Sequence, residues 1–451
     1  MSHLRGLSAA VGALLSWLLA VGWRLRSLDQ ASIGSDSLGQ FLPGLAPGSL
    51  PSPPNPEAGY ALWVTAAPLV AAAGSLEELL TLRFAVGALI APLGFLAAWA
   101  VAPQRRLLAG SIAGAVLAVD SGLVDTLVSA FRGYGAPELL AAAALCLLAW
   151  PGRAGTIAGV VLLITAAGHH PFAAGAAAGV VLLLPWRDRK TVAAAAVVGL
   201  LLATPRLLWI GSMADCGEGI IGCLSPIALG SSEPLGRWAL LQRALSDRAG
   251  ELSTGLLPLL AGLALCRDRR ALLLAVGATA GVVLLALSVH SLRPYHLRIV
   301  AAPLAIAAGL GLARGSWMGG VGGLWAVLAL ALHPPPLGDP GAATRHDAVA
   351  AELASLPDPV WVEGAWYGGP IALDPAGVVL AACLQGQPPE RFAPGGHIVV
   401  LVSRPDGATV QTLEDAAAAR EWLRLSDPPE VLGGAADWAS ILQPSASPSW
   451  W

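Results

Sequence analysis

Charge is scarce in this sequence. Only 12% of its 451 residues are charged, whereas 55% are hydrophobic, and a soluble protein normally carries about twice that charged fraction. Lysine occurs once, at Lys190, so arginine supplies nearly all of the positive charge. Because the apolar residues extend over most of the chain, the composition disfavours an ordinary soluble enzyme and predicts a polytopic membrane protein.

Common signatures of nucleotide and hydrolase chemistry are also missing. The sequence has no phosphate-binding glycine loop, no dinucleotide fingerprint and no serine-hydrolase elbow. The loops expected on the cytoplasmic side are too short to fold as a nucleotide-binding domain. We therefore expect neither a cytoplasmic ATP site nor a nucleic-acid partner.

Charge is unevenly distributed, which predicts two domains. Residues 334–451 contain 14 acidic and 5 basic residues, whereas residues 1–333 contain 15 acidic and 21 basic residues. The first part is expected to be an all-α membrane domain. The acidic tail is expected to be a small α/β domain, with strands at 359–364 and 397–404 and helices at 344–356 and 412–425.

Eleven apolar segments are candidate membrane spans. The first follows Arg5 and has no clear cleavage site, so it is expected to remain as an uncleaved span. A further apolar segment, 60–73, is expected to lie along the outer surface. The spans are placed near 7–25, 79–102, 107–122, 136–150, 154–168, 171–186, 191–210, 252–266, 270–289, 296–313 and 317–332.

Arginine clusters set the expected orientation. If segment 60–73 does not cross, all five tight basic clusters between spans fall on the cytoplasmic side, as the positive-inside rule requires. The tail and two long loops, 26–78 and 211–251, then lie on the periplasmic side of a bacterial inner membrane. The clusters are at 103–106, 151–153, 186–190, 266–270 and 313–316.

Two acids in the first outer loop are candidates for chemistry. Asp36, in "SDSLGQF", can accept a proton from an incoming hydroxyl or hold a metal, but the same residue types form helix caps. Glu57, like Glu138 further along, is a possible acceptor-binding or metal-binding residue, although the proline-rich stretch before Glu57 also suits a rigid connector. Further along, Arg132 can pair with a lipid phosphate, and Glu138 lies beside it; both also suit charges that flank a span.

Two pairs of residues suggest a metal and a disulfide. His169 and His170, in "GHHP", are two of the three or four ligands that a divalent metal needs, so a polar turn is the simpler interpretation. Cys216 and Cys223 share one periplasmic loop. An oxidising compartment would let them form a disulfide.

The densest polar group near the spans is "HSLRPYHLR", at 290–298. Its arginines lie on the side where the positive-inside rule expects few. A local anion such as a lipid phosphate explains cations in that position. Arg293, Tyr295 and Arg298 are therefore candidates for phosphate binding.

The order of these segments resembles the membrane-embedded GT-C glycosyltransferases, in particular bacterial relatives of the dolichyl-phosphate-mannose–protein mannosyltransferases. The likeness covers about residues 7–332 and rests on "SDSLGQF", "PPNPEAGYALWVTAAPLV", "LVSAFRGYGAPELLAAAALCLLAW" and "LRPYHLRIVAAPLAIAAGLGLA". It implies a polyprenyl-phosphate sugar donor, with Asp36 matching the catalytic base and the 293–298 group meeting the phosphate. Ser37 stands where the family has a second acid.

This resemblance predicts transfer of a sugar to a periplasmic lipid, glycan or protein. Trp366 and Tyr367 in the tail can stack on a sugar, although ordinary packing explains them equally well. Three alternatives stay open: a glycan polymerase or ligase, a transporter and a non-catalytic scaffold. A transporter would need charges near the middle of its spans.

Overall fold

A computed structural model describes the chain over parts of its length. The described residues are 2–26, 76–120, 135–150, 152–169, 173, 175–177, 179, 189–212, 239, 242, 262–288, 298–314, 324, 328, 360–363, 397–404 and 407–413. These residues are mostly helical. Two compact units are distinguished, one comprising 1–26, 84–127 and 133–336, and the other 27–83, 128–132 and 337–451.

Nine helices occur in the described residues. Their bounds are α1 Ser2–Leu25, α2 Leu76–Gly87, α3 Ile90–Val101, α4 Arg106–Val119, α5 Gly135–Ala149, α6 Arg153–His169, α7 Arg189–Ser212, α8 Arg269–Ser288 and α9 Ala301–Arg314.

Local chemistry explains where several helices begin. Pro92, Pro137 and Pro303 fall in the first turns of α3, α5 and α9, where a missing backbone N–H costs no helical hydrogen bond. Asp268 caps α8, since its Oδ1 accepts from the backbone N–H groups of Arg270 at 3.0 Å and Ala271 at 3.1 Å.

The helical unit is held together mainly by small side chains. Its largest buried cluster consists mostly of alanines from α3, α4, α5, α8 and α9. Such short side chains let helix backbones approach closely, which is the packing typical of helices in lipid. At Gly309, helix α9 lies close to α4, because a Cβ there would lie 2.6 Å from the Ala109 carbonyl oxygen.

Two described helical stretches are long and apolar enough to cross a membrane, namely Gly6–Leu25 and Phe84–Val101. The first matches the predicted span 7–25 to within one residue, and the second lies within the predicted span 79–102. Shorter apolar helices cover Arg106–Val119, Glu138–Ala149 and Arg153–Ala167, where three further spans are predicted. The number of spans, the border at 333/334 and the two long loops stay predictions.

The second unit contains a three-stranded sheet in the order β1-β2-β3. Its strands are β1 Val360–Glu363, β2 His397–Arg404 and β3 Gly407–Leu413. β1 pairs in parallel with β2, with Val360 opposite His397, and β2 pairs antiparallel with β3. The first two strands occur where the sequence predicts them. The predicted helix at 412–425 differs, because its first two residues belong to β3; residues 344–356 and 414–425 lie outside the described part.

Candidate functional site

Among the described residues of the helical unit, four charged side chains are buried. They are two arginines and two carboxylates: Arg24, Asp120, Glu138 and Arg298, which are 0%, 4%, 5% and 2% exposed. Buried charge in an apolar helical assembly is costly and usually marks function. We call these four residues the buried-charge group.

Helix register places Asp120 and Arg298 at the same end of the unit. Gly309 of α9 lies against Ala109 of α4, and Arg105 Nη1 donates to the Ala313 carbonyl oxygen at 3.4 Å. The two helices are therefore antiparallel. Asp120, which follows α4, and Arg298, in the turn that precedes α9, therefore lie at the same end of the helical unit.

Glu138 and Arg24 belong to that end as well. Trp99 and Trp150 stack with ring centroids 5.6 Å apart at the C-terminal ends of α3 and α5. The two helices also pack against each other, so they run in the same direction and Glu138 lies toward the start of α3. α1 runs the other way, because Trp17 Nε1 donates to the Ala85 carbonyl oxygen at 3.0 Å and Gly12 lies against Phe95. The C-terminal end of α1, which carries Arg24, therefore lies at the same end of the unit as Asp120, Glu138 and Arg298.

Arg24 contacts the backbone of two helices. Its Nη1 donates to the carbonyl oxygens of Ala20, at 3.0 Å, and Ala118, at 3.4 Å. Asp120 supplies negative charge that acts on the same guanidinium. The arginine therefore ties α1 to the end of α4 by contacts between residues 94 positions apart.

The opposite end of the unit is exposed and basic. Contacts link the helix ends there: Arg106 lies over Trp99 at 5.3 Å from the ring centroid, Arg153 Nη2 donates to Thr191 Oγ1 at 3.1 Å, and Arg314 approaches Asp268 at 3.9 Å. We call this the basic end. Its exposed cations are Arg105, Arg106, Arg153, Arg189, Lys190, Arg267, Arg269, Arg270 and Arg314.

Two of the predicted site residues, Arg298 and Glu138, are described with their side chains, and both join the buried-charge group. His169 is the last residue of α6. The remaining candidates lie outside the described residues, and their roles stay predictions: Asp36, Glu57, Arg132, His170, Cys216, Cys223, Arg293 and Tyr295.

Sequence reasoning missed Arg24 and Asp120. A signal for them exists, because both are charges inside predicted spans, 7–25 and 107–122, near the ends assigned to the periplasm. Glu138 is a candidate for binding an acceptor or a metal and also suits a charge that flanks a span; the structure buries it in the first turn of α5, and its role stays a prediction.

The described residues contain no group of three or more histidine, cysteine or acidic side chains able to hold a metal. The described cysteines, Cys146 and Cys266, are buried free thiols. Comparison of the chain with family models, with curated proteins and with solved structures finds no match. The buried-charge group has to be interpreted from its own chemistry.

Proposed function

We propose that the chain is a GT-C-like glycosyltransferase of the bacterial inner membrane, which moves a sugar from a polyprenyl-phosphate donor to a periplasmic acceptor. The observation that carries the proposal is the buried-charge group, with two arginines and two carboxylates at the end of the helical unit opposite the basic end. That end offers both a phosphate-binding cation and a proton acceptor.

Exposed apolar side chains support a lipid environment. Leu7 and Leu15 of α1 are 62% and 60% exposed, Leu201 of α7 is 65% exposed and Leu284 of α8 is 69% exposed. In water such surfaces would favour association, whereas hydrocarbon tails solvate them. We propose that α1, α7 and α8 contact lipid as three of eleven spans.

The two ends of the unit support an orientation. Exposed arginines favour the cytoplasmic face by the positive-inside rule, so the basic end is assigned to the cytoplasm. The buried-charge group is then periplasmic, where a lipid-linked donor presents its phosphate. The acidic tail, with its three-stranded sheet, is proposed as a periplasmic α/β domain.

The proposed reaction is a displacement at the anomeric carbon of the donor sugar. The acceptor oxygen forms the new bond to this carbon, the bond from the carbon to the phosphate oxygen breaks, and the polyprenyl phosphate leaves. Asp36 takes the acceptor proton as general base. Arg298, with Arg293 and Tyr295, stabilises the charge that develops on the phosphate.

The position of the buried charges favours a transferase over a transporter. Arg24, Asp120, Glu138 and Arg298 lie at helix ends or just beyond them, whereas transport paths need polar groups near the middle of the spans. Chemistry on a headgroup needs its polar groups where hydrocarbon meets water.

Transfer from a radiolabelled polyprenyl-phosphate sugar to acceptors in membrane vesicles tests the proposal. Asp36→Asn keeps the side-chain shape and removes the base, so the transfer rate should fall about 10²–10⁴-fold while donor binding persists. Arg298→Gln should weaken donor binding. Arg314→Gln, at the basic end, is the matched control and should retain both. Repeating the assay with EDTA decides whether a divalent metal takes part.

Full transfer by the Asp36→Asn variant would contradict the catalytic role. Wild-type vesicles that transfer no sugar from hexosyl or pentosyl donors, although the protein is folded and abundant, would favour the scaffold alternative. Equal loss in the Arg298→Gln and Arg314→Gln variants would show an effect of net charge rather than of the site.

A further inference from the structure

Arg24 has hydrogen-bonding capacity that the proposed reaction does not use. No part of its side chain is exposed. Nη1 meets two carbonyl oxygens, but Nε and Nη2 have no acceptor among the described residues. Buried donors are almost always paired. Two unpaired donors on one buried guanidinium therefore indicate that a ligand supplies the missing acceptors.

The two unsatisfied nitrogens form one edge of the guanidinium. In arginine the N–H of Nε and one N–H of Nη2 point in the same direction, and this edge matches two oxygens of a phosphate or carboxylate. The occupied nitrogen, Nη1, is on the other side and fixes the group to α1 and α4. Arg24 is therefore oriented by the protein, and its buried bidentate edge has no acceptor among the described residues.

The location of Arg24 favours a lipid phosphate over other oxyanions as its ligand. Arg24 lies at the C-terminal end of the apolar helix α1 and at the level that the proposed orientation gives to lipid headgroups. Asp120 acts on Arg24 through its charge but accepts no hydrogen bond from Nε or Nη2. A carboxylate ligand at that depth would have to come from a soluble metabolite, whereas a phosphate is already present on every donor lipid.

We infer that Arg24 Nε and Nη2 form a two-point binding site for a lipid phosphate, and that this phosphate is the one carried by the polyprenyl donor or product. The choice of a polyprenyl lipid rests on the proposed function, whereas the oxyanion site rests on the unpaired Arg24 nitrogens alone. Arg24 would hold the phosphate through both edge nitrogens, while Arg298 supplies a second cation at the same end of the unit.

Binding measurements on the purified full-length chain in detergent test this site. The probes are undecaprenyl phosphate, undecaprenol, phosphatidylglycerol and inorganic phosphate. Arg24→Lys keeps the charge but removes the fork, so undecaprenyl phosphate should bind about 10-fold more weakly; Arg24→Gln should bind about 100-fold more weakly. Undecaprenol should bind all variants alike, because it lacks the phosphate.

Arg26→Gln is the matched control. Arg26 is two residues away, exposed, and lies over Trp23 at 4.4 Å from the ring centroid. Its replacement changes the net charge of the same helix end without touching the buried edge, so affinity for undecaprenyl phosphate should stay within about twofold of wild type, as expected for a screened surface charge.

The outcomes separate this inference from the proposed function. Wild-type affinity in the Arg24→Lys variant, together with loss in the Arg298→Gln variant, would overturn the Arg24 site and leave the donor proposal standing. Binding of phosphatidylglycerol or inorganic phosphate that depends on Arg24, with no preference for undecaprenyl phosphate, would keep the oxyanion site and contradict the polyprenyl donor.

A structure of the wild-type chain with undecaprenyl phosphate gives a test that requires no variant to fold. Phosphate oxygens should lie about 3 Å from both Nε and Nη2 of Arg24. A bound phosphate that contacts other residues and leaves both nitrogens unpaired would overturn the inference.

Discussion

The guanidinium of Arg105 donates a hydrogen bond from Nη1 to the carbonyl oxygen of Ala313, 208 residues later in the chain, at 3.4 Å. Arg105 precedes α4 and has a left-handed backbone, with φ 47° and ψ 41°, a region that costs a non-glycine residue about 1–2 kcal/mol. The contact satisfies one of the last carbonyl groups of α9. One residue thus sets the start of α4 and also binds the end of α9.

This geometry predicts an unusual order of stability at position 105. Arg105→Ala loses the side-chain hydrogen bond and keeps the strained backbone, whereas Arg105→Gly loses the bond but relieves the strain. The glycine variant should be more stable than the alanine variant by about 1 kcal/mol. Thermal unfolding of the purified variants in one detergent measures the order, and a more stable alanine variant would contradict it.

Gly309 is predicted to tolerate no side chain. A Cβ at this position would lie 2.6 Å from the Ala109 carbonyl oxygen and 3.2 Å from the Ala113 Cβ, so Gly309→Ala must push α9 away from α4. We expect destabilisation of about 1–3 kcal/mol.

Gly22→Ala is the control for that substitution. A Cβ at Gly22 meets nothing within 4 Å, so alanine should be neutral or stabilising by up to about 1 kcal/mol. If both variants melt at the same temperature, close contact between α4 and α9 does not contribute to stability.

Thiol reactivity is predicted to divide the cysteines into classes. Cys146 and Cys266 are 7% and 6% exposed, so a maleimide should label them slowly in the folded protein and rapidly after denaturation. Cys216 and Cys223, in the predicted periplasmic loop, should be disulfide-bonded, which would stabilise that loop by about 2–3 kcal/mol on the chain-entropy model.

Mass spectrometry of membranes prepared with a blocking reagent distinguishes these classes. Free thiols at both Cys216 and Cys223 would rule out the bond. Rapid labelling of Cys146 in the native protein would contradict its burial in α5.

Orientation is predicted by the basic end. If the exposed cations face the cytoplasm and eleven spans cross, a reporter fused after Trp451 should be active only if it functions in the periplasm. A matched reporter placed after Arg314 should be active in the cytoplasm, because this residue belongs to the basic end. Activity of the Trp451 fusion in the cytoplasm alone would require an even number of spans.

Local sequence patterns account for much of the helical unit. Apolar runs predict helices at 107–122 and 191–210, and helices occur at Arg106–Val119 and Arg189–Ser212. Loop arginines such as Arg153 and Arg270 also predict that their helix ends share one side. Helix positions and the shared side of the helix ends depend on the composition of each segment, so they can be predicted from the local sequence.

The burial of charge could not be read from local patterns. Arg24 is buried because its guanidinium meets Ala118, a contact set by how α1 packs on α4 and not by the residues beside Arg24. The acidic start of 412–425 resembles a helix N-terminus, yet Thr412 and Leu413 pair with β2. In both cases a distant partner determines the outcome.

The alanine-rich core of the helical unit implies an asymmetry in how the unit responds to mutation. Ala307 and Ala308 are fully buried in this core, and an alanine side chain surrenders almost no rotamer entropy on burial. Shrinking such a residue removes one methyl group, whereas enlarging it forces two helix backbones apart. At Ala307 and Ala308, side-chain volume should therefore limit tolerated substitutions more than polarity does. Serine should be tolerated more readily than leucine.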